Sequence, residues 1–375
     1  MTTRPDVAIV LERFGSGGVE RVACHVANGL NRRGLSVEMV VLEDAGPVRS
    51  LLDPGISVRR IATVPGLRRG RRMMAAVPAL ATYLRRSAPR LFHSPGNHTN
   101  GPAALAVRLA GFRGALVPKI TNPLLHQWMS RRRRWLRRNF YRWMFRNARR
   151  VLVLSPRSAD QMAELFGERS AISVVHNPYV SERMLACATD RNPGQPPVIL
   201  SIGRLSKQKN HALLLRAVAR LRDRPWRLRI CGTGPEEAAL RELADELGIA
   251  DRVELAGFVA DPIPEYLAAT VMALSSRWEG LPAVALEAVA CGCPVVCTAS
   301  SPGLVDLMHD LGAHEPVAIG DEVALAEALR AALDGRLPNV PPSAAIPYSI
   351  EAACAEHTAL FEEILGPGGT DLGAV

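Results

Sequence analysis

The chain is predicted to fold as two consecutive α/β domains, each built around a parallel β-sheet. In both halves, apolar stretches typical of buried strands alternate with longer stretches of helical periodicity. Between the halves, residues 176–197 are rich in Pro, Gly and Asn, which is typical of a linker. A chain of 375 residues is long enough for two domains. We therefore place the first domain at 1–180, the second at 181–347 and a terminal segment at 348–375.

The first half begins with a strand, a glycine turn, a helix and a second strand. The corresponding stretches are "VAIVL", "GSGG", "VERVACHVANGLNRRG" and "SVEMVVL". Three later stretches are also predicted to be strands, namely "LFHS", "ALVPKI" and "RVLVLS".

The second half repeats the alternation after the linker. Its predicted strands and helices follow one another as "PVILSIGRL", "NHALLLRAVARLRD", "WRLRICGTG", "EEAALRELADELG", "RVELAGFV", "IPEYLAAT", "VMALSS" and "LPAVALEAVACG". Ligands of open α/β sheets bind outside the carboxyl ends of the strands. The loops that follow the strands are therefore where functional residues are expected.

Composition argues against several classes of protein. No run of 18 or more apolar residues occurs, so no transmembrane helix is expected. The strand pattern starts at the N-terminus, which leaves no room for a signal peptide. The seven cysteines form no C-x-x-C framework, and "CGCPVVC" lacks the paired spacing of a zinc site. We expect a reduced, cytoplasmic protein without a metal.

Charge is strongly segregated along the chain. Residues 1–150 carry 27 Arg and 1 Lys against 7 acidic residues, a net charge of +21, while residues 151–375 carry a net charge of −11. The first half should therefore face an anionic partner, which could be a membrane, a nucleic acid or a phosphorylated acceptor.

Two glutamates stand out in the otherwise apolar or small segment 275–296. Glu279 follows the predicted strand "VMALSS", and Glu287 falls in the helix that begins near Pro282. Between them, Gly280 and Leu281 bring backbone amides to the helix start, which favours an anion. The layout suits a nucleotide sugar, which has hydroxyls at both ends and phosphates between. The alternative is that Glu279 caps the helix and Glu287 lies on the surface.

Two loops offer further contacts for phosphates. "SIGRLSKQKN" follows a strand, contains Arg204 and Lys209, and holds two of the three lysines of the chain. Positive charge there could stabilise a diphosphate leaving group. "FGSGGVER" is a glycine loop whose backbone could approach a phosphate or sugar, although it matches neither G-x-G-x-x-G nor a Walker loop.

Taken together, these motifs resemble the retaining glycosyltransferases of family 4. The resemblance covers most of the chain and rests on "GSGGVERV", "SIGRLSKQKNHALLLRAV", "CGTGPEE", "VELAGFV" and "SSRWEGLPAVALEAVACGCPVV". It implies the GT-B fold, in which two Rossmann-like domains face each other across a cleft. "PYSIEAACAEHTALFEEIL" resembles the family's terminal helix, which crosses back onto the first domain.

The resemblance also implies roles for individual residues. Glu279 would contact the donor sugar, Glu287 the ribose hydroxyls, and Arg204 with Lys209 the diphosphate. The remaining donor contacts would come from the Gly17–Gly18 loop, the amides of Gly280 and Leu281, and a base pocket shaped by Gly232, Gly234, Phe258 and Val259. Such enzymes are generally metal-independent, and no D-x-D motif occurs here. The resemblance implies attack on the same face of the sugar, with the leaving phosphate helping to deprotonate the acceptor. No dedicated protein base is then required, and Glu279 is not a nucleophile.

One feature of the family is missing. Many relatives place a histidine near the reacting sugar in a loop of the first domain, where this chain has Thr121 and Asn122. His98, in the preceding loop, and His126, four residues beyond Asn122, are the candidates to replace it. Either could equally be a solvated loop histidine.

The acceptor side is predicted from segment 130–150, which has ten arginines interleaved with aromatic residues. A basic, aromatic helix fits peripheral binding to an anionic membrane. The alternatives are nucleic acid, which we do not expect, and an amphipathic helix with core aromatics and solvated arginines. The membrane or acceptor contacts are assigned to Arg131, Arg132, Arg133, Arg134, Trp135, Arg137 and Arg138.

The resulting prediction is a sugar transfer from a nucleotide sugar to a glycan or lipid-linked acceptor at the inner face of the cell membrane. The loops do not distinguish uridine from guanosine, and a UDP-sugar is the expected donor. No cofactor is expected. Two alternatives remain, a sugar-nucleotide epimerase on the same fold and a non-catalytic protein that binds a nucleotide or an anionic membrane.

Overall fold

The computed structural model describes residues 4–15, 17–64, 66–67, 69–125, 129–166 and 171–366. The chain divides into two compact units. Unit 1 comprises Met1–Pro178 and Ile350–Val375, and unit 2 comprises Tyr179–Ser349. The chain passes between the units two residues away from each of the boundaries expected from the sequence, and the terminal segment belongs to unit 1.

Unit 1 is built on a five-stranded parallel sheet in the order β3-β2-β1-β4-β5. Val7 in the central strand pairs with Val37 on one side and with Leu91 on the other. Two short parallel strands form a separate sheet after it. The strands are β1 (Val7–Arg13), β2 (Val37–Glu43), β3 (Ser57–Arg60), β4 (Leu91–Ser94), β5 (Ala115–Pro118), β6 (Val151–Val153) and β7 (Ile172–Val174).

Helices form most of the crossover connections that parallel pairing requires, and a loop with a 3-10 turn connects β2 to β3. Most of the first six residues of β1 and β2 are apolar and all are buried, and the helices cover these strands with their apolar faces. The helices are α1 (Gly18–Arg32), α2 (Arg69–Ala75), α3 (Val77–Ser87), α4 (Asn97–Ala110), α5 (Arg131–Phe145) and α6 (Pro156–Phe166), with a 3-10 turn at Arg49–Leu51.

Unit 2 is built on a second five-stranded parallel sheet, in the order β10-β9-β8-β11-β12. Its strands are β8 (Val198–Ile202), β9 (Arg227–Cys231), β10 (Val253–Gly257), β11 (Val271–Leu274) and β12 (Val295–Cys297). Its helices are α7 (Glu182–Ala186), α8 (His211–Ala219), α9 (Glu237–Glu246), α10 (Ile263–Ala268), α11 (Ala283–Ala290), α12 (Pro302–Asp310) and α13 (Glu322–Leu333), with 3-10 turns at Cys187–Asp190, Ala250–Arg252 and Pro342–Tyr348.

The stretch expected to be only a linker contains helical structure. α7 lies within it and is capped by the preceding residue, Ser181, whose hydroxyl accepts a hydrogen bond from the amide of Met184. A Ser cap of this kind stabilises a short helix. The Pro, Gly and Asn residues on either side of α7 produced the linker interpretation.

The final helix, α14 (Ile350–Leu365), packs on unit 1, which confirms its predicted location. Gly29 of α1 lies against Cys354, and an added Cβ at Gly29 would collide with that side chain. Arg33 pairs with Glu351 at the same contact. Within the described residues, no helix is both long and apolar enough to cross a membrane.

Candidate functional site

In unit 2 the parallel strands direct their following loops to one edge of the sheet. The loops after β8, β9, β10 and β11 therefore lie at the carboxyl edge. This edge carries most of the donor-binding residues expected from the sequence.

The centre of the edge is an ion pair between the loops after β8 and β11. Lys209 Nζ lies 2.7 Å from Glu279 Oε1, and the Ser276 hydroxyl donates to the same oxygen at 2.7 Å. The Lys209 and Glu279 side chains are only 19% and 9% exposed. Ser275 Oγ donates to the Lys209 carbonyl at 3.1 Å, which fixes the lysine loop against β11. The structure thus brings Lys209 and Glu279 together, in a largely buried position.

Glu279 does not cap α11. Pro282 is the residue that precedes the helix, and it makes no side-chain cap hydrogen bond. The Glu279 carboxylate instead contacts Lys209 and Ser276. Within the described part of the chain, the amides of Gly280 and Leu281 donate no hydrogen bond. They remain available to an anion or hydroxyl beside the carboxylate.

Glu287 lies in the middle of α11 and is buried, with 4% of its surface exposed. The Tyr266 hydroxyl donates to Glu287 Oε2 at 2.8 Å. Burial, followed by the neighbouring carboxylate, raises the pKa of Tyr266 well above its usual value, so the tyrosine stays a hydrogen-bond donor. The interpretation of Glu287 as a surface residue is therefore wrong.

The glycines after β9 allow the loops to pack closely. Gly232 has a φ of +150°, and an added Cβ there would collide with the carbonyl oxygen of Gly203. At Gly234, a Cβ would collide with the carbonyl of Leu205. Both glycines thus support the loop that follows β8, which contains the exposed side chain of Arg204.

Phe258 and Val259 follow β10 at the same edge. Phe258 is 75% exposed, the highest exposure of any large apolar residue in the described structure. Val259 is partly buried. An exposed aromatic ring at the mouth of a site offers a stacking surface for a planar group.

In unit 1, Gly17 and His98 lie at the carboxyl ends of neighbouring strands. Gly17 precedes α1 and Gly18 is its first residue. His98 lies in the first turn of α4, not in a loop as expected. Gly96 lies close to both α1 and His98. A Cβ added at Gly96 would collide with Val19 of α1 and would lie 3.6 Å from His98 Nδ1. His126 lies outside the described residues.

The loop with Thr121 and Asn122 is tied to the start of α4. Asn97 Oδ1 accepts from the Thr121 amide at 2.9 Å, and Asn97 Nδ2 donates to the Asn122 carbonyl at 2.9 Å. His98, the neighbour of Asn97, is therefore held near the place where the resemblance led us to expect a histidine.

The basic segment is helical in its centre, as α5. Arg131 to Arg134 are exposed, while Arg137 and Arg138 are partly buried. Four apolar side chains are about half exposed, at 55%, 51%, 52% and 45%; they are Trp135, Leu136, Phe140 and Trp143. Only Met144 and Phe145 of this helix are buried in the core. The aromatics of α5 are thus not simply core residues.

Sequence reasoning missed a buried polar cluster in unit 1. Lys119, only 1% exposed, donates to Asn177 Oδ1, and its Nζ lies 3.1 Å from His357 Nε2. The residues are far apart in sequence, and a single lysine after a strand is normally solvated. The one available signal was the scarcity of lysine in this arginine-rich chain.

Comparison with known proteins assigns both halves of the chain to glycosyltransferase families. Residues 17–178 match the family model described as "Glycosyl transferase 4-like domain", and residues 188–344 match "Glycosyl transferases group 1". The chain therefore belongs to the family 4 glycosyltransferases.

Curated relatives agree with this assignment. The lipopolysaccharide core biosynthesis glycosyltransferase LpsE of Rhizobium meliloti is 35% identical over 187 residues, which are 49% of this chain and 54% of that protein. A Campylobacter jejuni N-acetylgalactosaminyltransferase acting on a diphospho-undecaprenol substrate is 42% identical over 112 residues, 30% of each chain. The matches thus span about a third to a half of these relatives.

Solved structures share the fold. The lipopolysaccharide outer core galactosyltransferase WaaB superposes with a TM-score of 0.75 at 22% identity, over 95% of this chain and 99% of that one. WaaG, a lipopolysaccharide biosynthesis glycosyltransferase, gives a TM-score of 0.71 at 16% identity, over 96% of this chain and 100% of that one. The predicted GT-B fold is confirmed.

Proposed function

We propose that the protein is a retaining glycosyltransferase that moves a sugar from a UDP-sugar to a membrane-associated acceptor. The observation that supports this most strongly is the buried pair of Lys209 and Glu279 beside the unbonded amides of Gly280 and Leu281. The Glu279 carboxylate can accept hydrogen bonds from sugar hydroxyls. The Lys209 ammonium group and the two amides next to it can bind phosphate.

The two buried carboxylates divide the donor between them. Glu279 accepts from hydroxyls of the transferred sugar, and Glu287 accepts from the ribose hydroxyls. Each carboxylate is held by a neighbouring donor, Lys209 or Tyr266, and so is fixed before the ligand arrives. Phe258 offers its exposed ring to the base.

The diphosphate leaves with a developing negative charge, which Arg204 and Lys209 stabilise without a divalent metal. Lys209 is a point charge fixed by its loop, whereas Arg204 is exposed and can close on the phosphate as a fork. Positive charge fixed at the leaving group lowers the barrier because the charge develops there in the transition state.

Retention follows from attack on the same face as departure. The bond from the anomeric carbon to the phosphate oxygen breaks, and the bond to the acceptor oxygen forms. The acceptor's proton passes to the departing phosphate oxygen, so no protein base is needed. Glu279 is not the nucleophile in this scheme, because its carboxylate is engaged by Lys209 and Ser276.

The acceptor is proposed to be lipid-linked, a lipopolysaccharide or an exopolysaccharide precursor, and to be reached from the inner membrane surface. α5 supports this, because its exposed arginines lie beside half-exposed Trp135, Leu136, Phe140 and Trp143. Charge attracts anionic headgroups, and the apolar side chains can enter the interface. The name of the Campylobacter enzyme contains a diphospho-undecaprenol and that of LpsE contains lipopolysaccharide core biosynthesis, which supports an acceptor of this kind.

A binding measurement with two lysine variants tests the donor site. We expect Lys209→Met to weaken UDP binding by about tenfold to a hundredfold, since a charge-assisted contact to phosphate is lost. Lys207→Met is the matched control, because Lys207 is an exposed lysine of the same loop. Calorimetric titration with UDP gives both affinities, and the melting temperature without ligand shows whether each variant is folded.

The proposal fails at this site if Lys209→Met and Lys207→Met bind UDP equally well. It also fails if a folded wild-type protein binds no nucleoside diphosphate. Glu287→Gln provides an independent check, because loss of the ribose contact should weaken binding of UDP but not of inorganic diphosphate.

A further inference from the structure

Unit 1 contains a cavity of about 560 Å³ that none of the predicted site residues lines. It lies where β2 and β3 end, at the carboxyl edge of the sheet. Its apolar wall includes Leu42 and Ile61, and its polar wall is formed by Glu43, Arg60, Thr63 and Arg72. The volume is in the range of small-molecule sites, and the edge is where open α/β sheets bind ligands.

One arginine of the cavity is already neutralised. Arg72 donates from Nε to Glu12 Oε1 at 2.9 Å and from a terminal nitrogen to Glu43 Oε2 at 3.1 Å. Glu12 is 3% exposed, so this bridge is anchored in the protein interior. Arg72 therefore holds Glu43 in place rather than supplying a free charge.

The other two polar groups have no partner in the described structure. Arg60 is exposed, and none of the described carboxylates pairs with it. Thr63 Oγ1 is buried and accepts or donates no hydrogen bond among the described residues. A buried hydroxyl without a partner is unfavourable unless a ligand or water satisfies it. The Arg60 guanidinium and the Thr63 hydroxyl thus line the same cavity, and neither has a hydrogen-bond partner among the described residues.

We propose that this cavity binds the anionic group of the acceptor, a phosphate or carboxylate carried on a sugar. Arg60 and Thr63 donate to the anion, and Glu43 accepts from a sugar hydroxyl. Ala62, which is exposed on the same wall, offers a small apolar contact to the ring. This inference rests on the proposed function, since it identifies the acceptor chemistry of the same enzyme.

The position of the cavity in the sheet suits this role. β2 neighbours β1, whose following loop carries Gly17, and β3 is the next strand. Adjacent strands are about 4.8 Å apart, so the cavity lies roughly one to two strand spacings from that loop. An acceptor sugar can extend from the cavity along this edge of unit 1.

Direct binding to the full-length protein, without donor, tests the cavity. The probes are glucose 6-phosphate, glucuronate and uncharged glucose, each titrated by calorimetry. We expect at least one anionic sugar to bind about tenfold more tightly than glucose, and the preferred anion distinguishes phosphate from carboxylate. Arg60→Gln and Thr63→Val should each remove most of this preference. Arg86→Gln, which changes an exposed arginine of α3 outside the cavity, should retain it.

Two results would overturn the inference. One is a wild-type protein that binds neither anionic sugar more tightly than glucose. The other is an anion preference that Arg60→Gln and Arg86→Gln reduce equally. UDP binding should be unchanged in Arg60→Gln, because Arg60 lies in unit 1. The side chains proposed to contact the base, the ribose and the diphosphate lie in unit 2. An anionic sugar that binds to a protein unable to bind UDP would refute the proposed function while leaving the cavity assignment intact.

Discussion

Lys119 is a lysine that is almost fully buried, with 1% of its surface exposed. Its Nζ contacts Asn177 and His357, and His357 Nδ1 lies 2.8 Å from the Ala353 carbonyl. A carbonyl can only accept, so His357 Nδ1 carries the hydrogen and Nε2 accepts from Lys119. Burial lowers the pKa of Lys119 to about 7 and that of His357 well below its usual value. The cluster joins β5 to α14 and to the end of the first segment of unit 1.

This cluster predicts a specific dependence of stability on pH. The folded-state pKa of Lys119 lies near 7, below its usual value of 10.5. Between these values the unfolded chain binds one more proton at this residue, so the contribution of Lys119 to the free energy of unfolding should rise with pH, by up to about 1.4 kcal/mol per pH unit. Below pH 7 both states are protonated and this contribution is constant. Urea unfolding of wild type and Lys119→Met between pH 7 and pH 9.5 measures the difference.

The slope of the free energy of unfolding against pH should be more positive in wild type than in Lys119→Met, because all other titrating groups are common to both proteins. Lys207→Met removes an exposed lysine and should keep the wild-type slope. Equal slopes in wild type and Lys119→Met would contradict a lowered pKa for Lys119.

At the scale of elements, α5 differs from α1, α3 and α4 of unit 1. α1, α3 and α4 each have several buried apolar residues, whereas α5 buries only Met144 and Phe145. Phe140 and Trp143 lie 6.2 Å apart between ring centroids, and the Arg108 guanidinium lies 4.1 Å from the Trp143 ring centre. An apolar surface beside arginines is suited to the boundary between headgroups and acyl chains.

Removing part of this apolar surface should weaken membrane binding without unfolding the protein. For the double variant Leu136→Ser with Phe140→Ser we expect a loss of about 2 kcal/mol in binding to anionic vesicles, or thirtyfold. Added salt should weaken wild-type binding, because the arginines are exposed to solvent. Cosedimentation with vesicles of phosphatidylglycerol and phosphatidylcholine measures both effects.

The control is a double variant in unit 2 at two apolar residues that are as exposed as Leu136 and Phe140. Ile319 and Val323 are 50% and 52% exposed, so Ile319→Ser with Val323→Ser removes comparable apolar surface. Equal vesicle binding by the two double variants would refute a membrane role for α5.

At the scale of the whole molecule, the two units differ in net charge and in the ligand that each is proposed to bind. Residues 1–150, with a net charge of +21, lie in unit 1, and the proposed donor residues of the second half lie in unit 2. Both units contain a five-stranded parallel sheet, and the proposed functional residues lie mostly in the loops that follow the strands.

Most of the strands and the loops proposed to bind the donor were predictable because their signals are local. The apolar runs mark buried strands, and Glu279, Lys209 and the glycines of the loops lie in short motifs. The Lys119 cluster was not predictable, because its contacts join residues 58 and 238 positions apart. The cavity with Arg60 and Thr63 was missed for a related reason. It depends on two strand ends that pairing brings together, and neither residue belongs to a motif.

Transfer of labelled sugar tests the central claim most directly. Wild-type protein is incubated with a panel of labelled UDP- and GDP-sugars and a bacterial membrane lipid extract, and label in lipid is measured together with released nucleotide. We predict transfer from one UDP-sugar, with the anomeric configuration of the donor kept in the product, and a loss of about a hundredfold or more in Glu279→Ala. No transfer from any donor, by a folded protein that binds UDP and anionic vesicles, would contradict the account and favour a non-catalytic role.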